Sequence, residues 1–231
     1  MLFRWLWAFS LSFTLVNCGS TNRFEDSGDK TADEKIRIAL DTGDLETARL
    51  LLEDVVRDDP TNYQRFVLLS AVYASLGRLD LMGALKSTSG GTGSAIDAIS
   101  KTLPATTTAA DLDLMQKAVN QIKAIPDDKR QTTSTERYST SAVVQLALYQ
   151  AAFGVMFLRQ FIAITPDQKY DPAKLRTMSA ADADVILGRL SDAAVGSPYQ
   201  EKVKSTLAAV DAAPGADKRE KLINYMEAQK K

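Results

Sequence analysis

Apolar residues recur at helical spacing along most of the chain beyond residue 30. Two segments show this first, each with its apolar positions on one helical face: Leu45, Leu51, Leu52, Val55 and Val56 in one, and Phe66, Leu69, Ala71, Tyr73 and Leu76 in the other. No segment alternates apolar and polar residues over the length of a strand. The pattern therefore predicts an all-α protein.

Proline, glycine and polar clusters divide the second half of the chain into further helical segments. The spacing predicts helices over 94–102, 109–124, 179–194, 198–212 and 216–229. Ser179 is expected to cap the third of these helices, and Pro198 to occupy the first position of the fourth. The Lys- and Glu-rich last helix is typical of a polar cap on a helical stack. Asp127 to Glu136 is expected to form a polar loop.

The most apolar segment beyond residue 18 runs from Ser141 to Ile164. It is long enough to span a bilayer, but four polar side chains argue against that: Gln145, Gln150, Arg159 and Gln160. A helix that is apolar nearly all round is otherwise the buried centre of a bundle, which is the structure we expect. Near its end, Arg159 and Gln160 either line a groove or complement the helix C-terminus.

Two parts of the chain match each other at a spacing of 34 residues. The matching pairs are Gly43 and Gly77, Leu45 and Leu79, and Ala39 and Tyr73. Each glycine falls where one helix has to end and the next begin, so a left-handed backbone is expected at both. Between the copies, Pro60 is expected to end one helix and Thr61 to cap the next.

The period and these residues resemble the tetratricopeptide repeat (TPR). The second copy carries the first-helix signature of that family in Phe66, Leu69-Ser70, Tyr73 and Gly77. The first copy carries the second-helix signature in Ala48, Leu52, Val55 and Pro60. The resemblance covers roughly residues 29–85 and implies antiparallel helical hairpins.

Beyond the second copy the resemblance weakens. Met82, Ser94 and Asp111 stand where the family would place a small residue, a closing proline and a third turn glycine. The Gly-rich stretch over 87–94 lacks the Gly-Lys-Ser/Thr of a phosphate-binding loop, so it is expected to break a helix or link two. We therefore expect TPR-like hairpins over 31–86, continuing into a divergent helical bundle or solenoid over 87–231 that packs on them.

The chain begins with one cation, Arg4, followed by a predominantly apolar run without charged residues from Trp5 to Val16. This pattern indicates a secretory signal peptide over residues 1–17, because the run is too short to span a bilayer. A plain secreted protein would leave Cys18 without a role, since the only cysteine of the chain cannot form an internal disulfide.

The sequence Leu15-Val16-Asn17-Cys18-Gly19 resembles the lipobox of bacterial lipoproteins, although Asn17 replaces the small residue usual before the cysteine. The resemblance implies lipidation of Cys18 and a membrane anchor through that lipid. Residues 18–30 are polar and are expected to form a flexible tether. Gly19, rather than aspartate, after the cysteine implies the outer membrane, with the inner membrane and the cell surface left open.

Composition excludes several kinds of chemistry. The chain has no histidine, one cysteine and a formal net charge of −1. It therefore lacks the commonest general base and the usual zinc ligands, and no basic block points to nucleic acid. The Asp-rich pieces at 111–113, 127–128 and 182–184 do not match a calcium loop and are better explained as charges at helix N-termini. We expect no enzyme activity, no cofactor and no metal site.

Helical repeats form concave surfaces from their first helices, and these surfaces bind peptide segments or other proteins. The resemblance thus implies a lipid-anchored adaptor that holds a protein partner at the periplasmic face of the outer membrane. The candidate partner-binding residues are Arg37, Tyr63, Gln64 and Arg65. The rival hypothesis is a small-molecule-binding accessory of a periplasmic transport system, in which Gln145, Gln150 and Arg159 would line a cavity.

Overall fold

A computed structural model describes residues 30–81, 83, 99–131, 134–161, 172–195 and 200–228. Ten helices lie in this part of the chain, and it contains no strand. They are α1 Ala32–Asp41, α2 Leu45–Asp58, α3 Tyr63–Leu76, α4 Ala109–Lys123, α5 Asp127–Arg130, α6 Ser139–Leu158, α7 Pro172–Leu175, α8 Ala180–Ala194, α9 Gln200–Ala212 and α10 Lys218–Ala228. The all-α prediction is confirmed.

The first three helices pack in chain order, α1 on α2 and α2 on α3, and the first two begin at side-chain caps. Thr31 and Glu34 form a reciprocal capping box at the start of α1, and the Asp44 carboxylate accepts from the Thr47 amide at the start of α2. The prediction for Thr61 is wrong. Its hydroxyl donates to Asp59, and Asn62 precedes α3 without a side-chain cap.

The turns after α1 and α3 have the same geometry. The first contains the predicted left-handed residue, Gly43, but in the second the left-handed residue is Arg78 instead of Gly77. Gly43 has φ 75°, and the next amide, of Asp44, donates to the Ala39 carbonyl. In the second turn Arg78 has φ 63°, and the Leu79 amide donates to the Ala74 carbonyl. Gly77 has an ordinary φ of −72°. The left-handed position therefore falls one residue beyond the predicted one.

Gly77 is required for a different reason, the close approach of α4. A β-carbon at Gly77 would lie 3.3 Å from the backbone oxygen of Asp111, which belongs to the first turn of α4. It would also lie 3.4 Å from the carbonyl oxygens of Tyr73 and Ala74. The absence of a β-carbon at residue 77 therefore lets α3 and α4 meet closely.

The centre of the molecule is α6, which packs against α4 on one side and α8 on the other. It is the one helix of the described part that is long and apolar enough to cross a membrane, yet most of its apolar window is buried inside the protein. The expected core helix therefore exists, with different bounds. It begins at Ser139 and ends at Leu158 rather than spanning 141–164.

The later helices follow the predicted pattern with small shifts. Ser179 and Asp182 form a capping box that starts α8, as expected of Ser179. Asp127–Arg130 forms the short helix α5 inside the segment expected to be a loop. Helices α9 and α10 pack with α8 at the C-terminal end. Pro198, the Gly-rich stretch over 87–94 and residues 94–98 of one expected helix lie outside the described residues.

Alanine at Gly43 and alanine at Gly188 are expected to change stability in opposite directions. At Gly43 the left-handed backbone penalises any β-carbon, so Gly43→Ala should lower the free energy of unfolding by about 1 kcal/mol. Gly188 lies within α8 with open space around it, so Gly188→Ala should raise that free energy by up to about 1 kcal/mol. Urea denaturation of both variants measures this, and a stabilised Gly43→Ala protein would contradict the turn geometry.

Candidate functional site

The four residues predicted to bind a partner lie on α1 and at the start of α3. Arg37, Gln64 and Arg65 line a cleft of about 380 Å³ between these helices. Tyr63 lines a neighbouring cleft of about 640 Å³ that also includes Gln64. The structure therefore brings the four residues to one surface.

The cleft between α1 and α3 has an apolar floor and a charged rim. Ile36, Leu40 and Leu52 form the floor, and Ile36 and Leu52 are buried. The rim residues are Asp33, Arg37, Asp41, Asn62, Gln64, Arg65 and Leu68. Such a cleft can hold an apolar side chain while its rim recognises charged or polar groups beside it.

An ion pair fixes one end of this rim. Nη2 of Arg65 lies 3.2 Å from both carboxylate oxygens of Asp33, which connects α3 to the first turn of α1. Arg37 and Asp41, further along α1, form no ion pair within the described residues. Their charges are therefore available to a ligand in the cleft.

A second cleft, of about 350 Å³, lies on the other side of α3 and faces the start of α6. Gln64 and Leu68 line both this cleft and the one beside α1, because they are one helical turn apart on the exposed side of α3. Leu68 is 37% exposed, and among the described leucines only Leu50, at 54%, is more exposed. We call Gln64 and Leu68 the α3 ridge, since the two clefts flank them.

The far wall of the second cleft comes from Arg137, Tyr138, Ser141 and Gln145. Tyr138 also packs edge-on against Tyr63, with ring centroids 6.2 Å apart, and so joins α6 to α3. Burial, followed by the negative charge of Glu136, raises the pKa of the Tyr138 phenol above its usual value. This tyrosine is therefore a neutral hydrogen-bonding group at neutral pH.

Sequence reasoning missed the residues of the second cleft and the leucine of the ridge. Leu68 had a usable signal, because it lies four residues after Gln64 and shares its helical face. Arg137 and Tyr138 had none, since they follow α3 by a long stretch of chain and meet it only through tertiary packing.

The three polar side chains that the rival hypothesis assigns to a cavity, Gln145, Gln150 and Arg159, all form hydrogen bonds within the protein. Gln145 accepts a hydrogen bond from Ser70 of α3 at 3.0 Å. Gln150 is buried and accepts from Arg189 of α8 at 2.8 Å. Arg159 donates to the backbone oxygens of Pro104 and Ser100. The three side chains thus contact three different neighbours: α3, α8 and the backbone at residues 100 and 104.

Carboxylates at helix N-termini have the structural role expected of them in two cases. Asp111 and Asp182 complete capping boxes with Thr108 and Ser179. Within the described residues no group of three or more His, Cys, Asp or Glu side chains could hold a metal ion. Cys18, the predicted lipidation site, lies outside the described residues.

The fold and the clefts define this chain as an all-α protein that presents a helical ridge between two mixed apolar and polar clefts. Comparisons with models of protein families, with curated proteins and with solved structures find no match to the chain.

Proposed function

We propose that the chain is a lipid-anchored adaptor, whose TPR-like helices hold a protein partner at the periplasmic face of a bacterial outer membrane. The observation that carries this proposal is the α3 ridge with its two clefts. Arg37, Tyr63, Gln64 and Arg65 were selected from the repeat pattern alone. Arg37, Gln64 and Arg65 line the cleft between α1 and α3, and Tyr63 lines the neighbouring cleft that shares Gln64. Agreement between a sequence pattern and a surface cleft supports a shared role in recognition.

The chemistry of the surface also favours a protein partner. Its exposed groups are guanidinium, amide, phenol and leucine side chains, which together recognise peptide backbone, carboxylates and apolar side chains. The two clefts lie on opposite sides of the ridge, so an extended or helical segment crossing it can place side chains into both. The proposed role assigns no reaction and no cofactor to the helical region beyond residue 30.

The location of the adaptor rests on the N-terminal sequence. The apolar run from Trp5 to Val16 and the lipobox-like residues ending at Cys18 support export and lipid attachment. Two or more acyl chains anchor a protein stably to a bilayer. The tether over 18–30 would then hold the helical region close to the membrane surface.

Site-specific photo-crosslinking in intact cells tests the partner. A photoreactive amino acid at Leu68 is expected to form a discrete adduct with one envelope protein. The matched control is Val185 on α8, whose exposed fraction of 40% is close to the 37% of Leu68. Arg65→Glu should abolish the Leu68 adduct, because it puts two carboxylates side by side on the rim and repels Asp33.

Two results of the crosslinking experiment would contradict the proposal. The same adduct at Leu68 and Val185, or no change with Arg65→Glu in a folded protein, would show that the ridge is not the binding surface. Circular dichroism of the Arg65→Glu protein verifies folding, since helices are the only regular secondary structure in the described part.

A further inference from the structure

The cleft between α1 and α3 carries two charged side chains that form no ion pair within the described residues, one at each end of an apolar floor. Along α1, Arg37 comes first and Asp41 follows one turn later, and neither forms an ion pair within the described residues. Between them, Leu40 joins Ile36 and Leu52 in the apolar floor. A complementary segment running antiparallel to α1 would therefore place an acidic residue beside Arg37, an apolar residue on the floor and a basic residue beside Asp41. Its acidic residue would lie nearest the start of α1.

The chain itself contains such a segment just before the described part. Residues Arg23-Phe24-Glu25-Asp26 precede Thr31, the cap of α1. Read backwards from Thr31, they present two carboxylates, one aromatic ring and one guanidinium. This is the order that the cleft requires. Phe24 is also the only large apolar residue between Cys18 and the start of α1.

The connecting chain is long enough for this pairing. Phe24 lies seven residues before Thr31 and can extend about 23 Å from it. The whole of α1, with 10 residues, is about 15 Å long. Gly28 lies between the segment and α1, where the chain has to reverse direction, and glycine accepts the backbone conformations of a tight turn.

We propose that residues 23–26 dock in the cleft between α1 and α3, with Phe24 on the apolar floor, Glu25 and Asp26 beside Arg37, and Arg23 beside Asp41. The chain's own tether is then the resident occupant of that cleft. The contacts join groups of opposite charge around one apolar anchor, as in other peptide grooves.

Docking has a consequence for the adaptor, and this step rests on the proposed function. With the cleft filled by residues 23–26, only residues 18–23 separate the lipid from the helical region, and their greatest reach is about 17 Å. When the segment is released, residues 18–30 reach about 40 Å. A partner that binds the α3 ridge through the same cleft would displace the segment and lengthen the tether.

Tryptophan fluorescence tests the docking directly. The two tryptophans of the chain are Trp5 and Trp7, so the protein from residue 19 onward has none and still contains every described helix. Phe24→Trp in that protein is expected to give a blue-shifted emission, because the ring lies on the apolar floor. The matched control, Ser20→Trp, should emit as a fully hydrated indole.

Charge reversal at Arg37 tests whether the segment docks in the cleft between α1 and α3. Adding Arg37→Glu to the Phe24→Trp protein should move the emission toward that of the Ser20→Trp control. Restoring the opposite charges with Glu25→Arg and Asp26→Arg should recover the blue shift. Arg37 is exposed and forms no ion pair within the described residues, so this reversal leaves the helical packing intact.

Three results would overturn the docking: equal emission from Trp at residues 20 and 24, a blue shift insensitive to Arg37→Glu, or one that appears only at high protein concentration. The last result would mean that the segment binds a second copy of the chain. None of these measurements involves lipid or a partner. Failure of the docking therefore leaves the adaptor proposal standing, and loss of the Leu68 photo-adduct leaves the docking standing.

Discussion

Arg78→Ala is expected to lower the free energy of unfolding by about 2 kcal/mol. Nε of Arg78 donates to Oδ1 of Asp111 at 2.9 Å, and Nη2 donates to Oδ2 of Asp111 and to the Thr106 carbonyl oxygen. The Asp111 side chain is only 8% exposed, so removing Arg78 leaves a buried carboxylate without its cation. The 45% exposure of Arg78 and the bonds from Thr108 keep the loss below that of a fully buried pair.

The backbone at Arg78 allows the ion pair to be separated from strain. Because φ is 63°, alanine at this position keeps the left-handed penalty, whereas glycine removes it. Arg78→Gly should therefore be more stable than Arg78→Ala by about 1 kcal/mol, yet still less stable than the wild type. Urea denaturation at pH 7 measures the three proteins. A wild-type stability for Arg78→Ala, with Arg78→Gly more stable than the wild type, would mean that the ion pair contributes nothing.

The same pair predicts a pH dependence. Hydrogen bonding from the guanidinium of Arg78, with smaller contributions from the hydrogen bonds of Thr108, outweighs the effect of burial and lowers the pKa of Asp111 from 3.8 to about 2. A carboxyl whose pKa is lower in the folded state stabilises the protein above its unfolded pKa. This stabilisation, about 2 kcal/mol, is lost as the pH falls from about 4 to about 2. Asp111→Asn and Arg78→Ala should each flatten this part of the stability profile.

Helices of this protein could be predicted from the sequence wherever their limits are set by local signals. The helix expected over 109–124 is observed as Ala109–Lys123, and the cap at Ser179 is observed with its capping box. In both cases a short polar side chain next to a periodic apolar segment satisfies the free amides of the first turn. Such signals act within a few residues and do not depend on the rest of the fold.

The requirement at Gly77 could not be predicted in the same way. Its spacing from Gly43 indicated a left-handed turn, but the left-handed residue is Arg78. Glycine is needed at 77 because the backbone of Asp111 approaches it, and that approach depends on how α3 and α4 pack. An arginine accepts the left-handed position because its side chain gains the ion pair with Asp111. Neither fact is visible in the two copies of the repeat.

The candidate site was half predictable for a related reason. Repeat geometry indicates which face of a first helix is exposed, and so it selected Gln64 and Arg65 on α3. It carries no information on which later segment packs beside that helix. Arg137 reaches the ridge only because α6 crosses α3 near Tyr138, and this contact follows from the packing of the whole core.

Cys18→Ser is expected to leave the precursor uncut and to remove the protein completely from the outer-membrane fraction, the largest effect of any single substitution proposed for this chain. A serine hydroxyl cannot form the thioether that would carry the lipid, and the lipid supplies the whole attachment after the signal segment is removed. Fractionation of cells that express wild-type and Cys18→Ser proteins measures this, together with incorporation of labelled palmitate. The wild type should be labelled and membrane-bound, and the variant unlabelled.

The matched control is Ser20→Ala, which lies two residues away and leaves the thiol in place. It should behave as the wild type. If a protein lacking residues 1–18 stayed in the membrane and required detergent, the attachment would have to come from α6, Ser139–Leu158, the one described helix with the length and composition of a span. That outcome would contradict both the lipid anchor and the fold, because 67% of the apolar window of α6 is buried against other helices. A soluble, unlabelled wild type would remove the anchor alone and leave the helical fold unaffected.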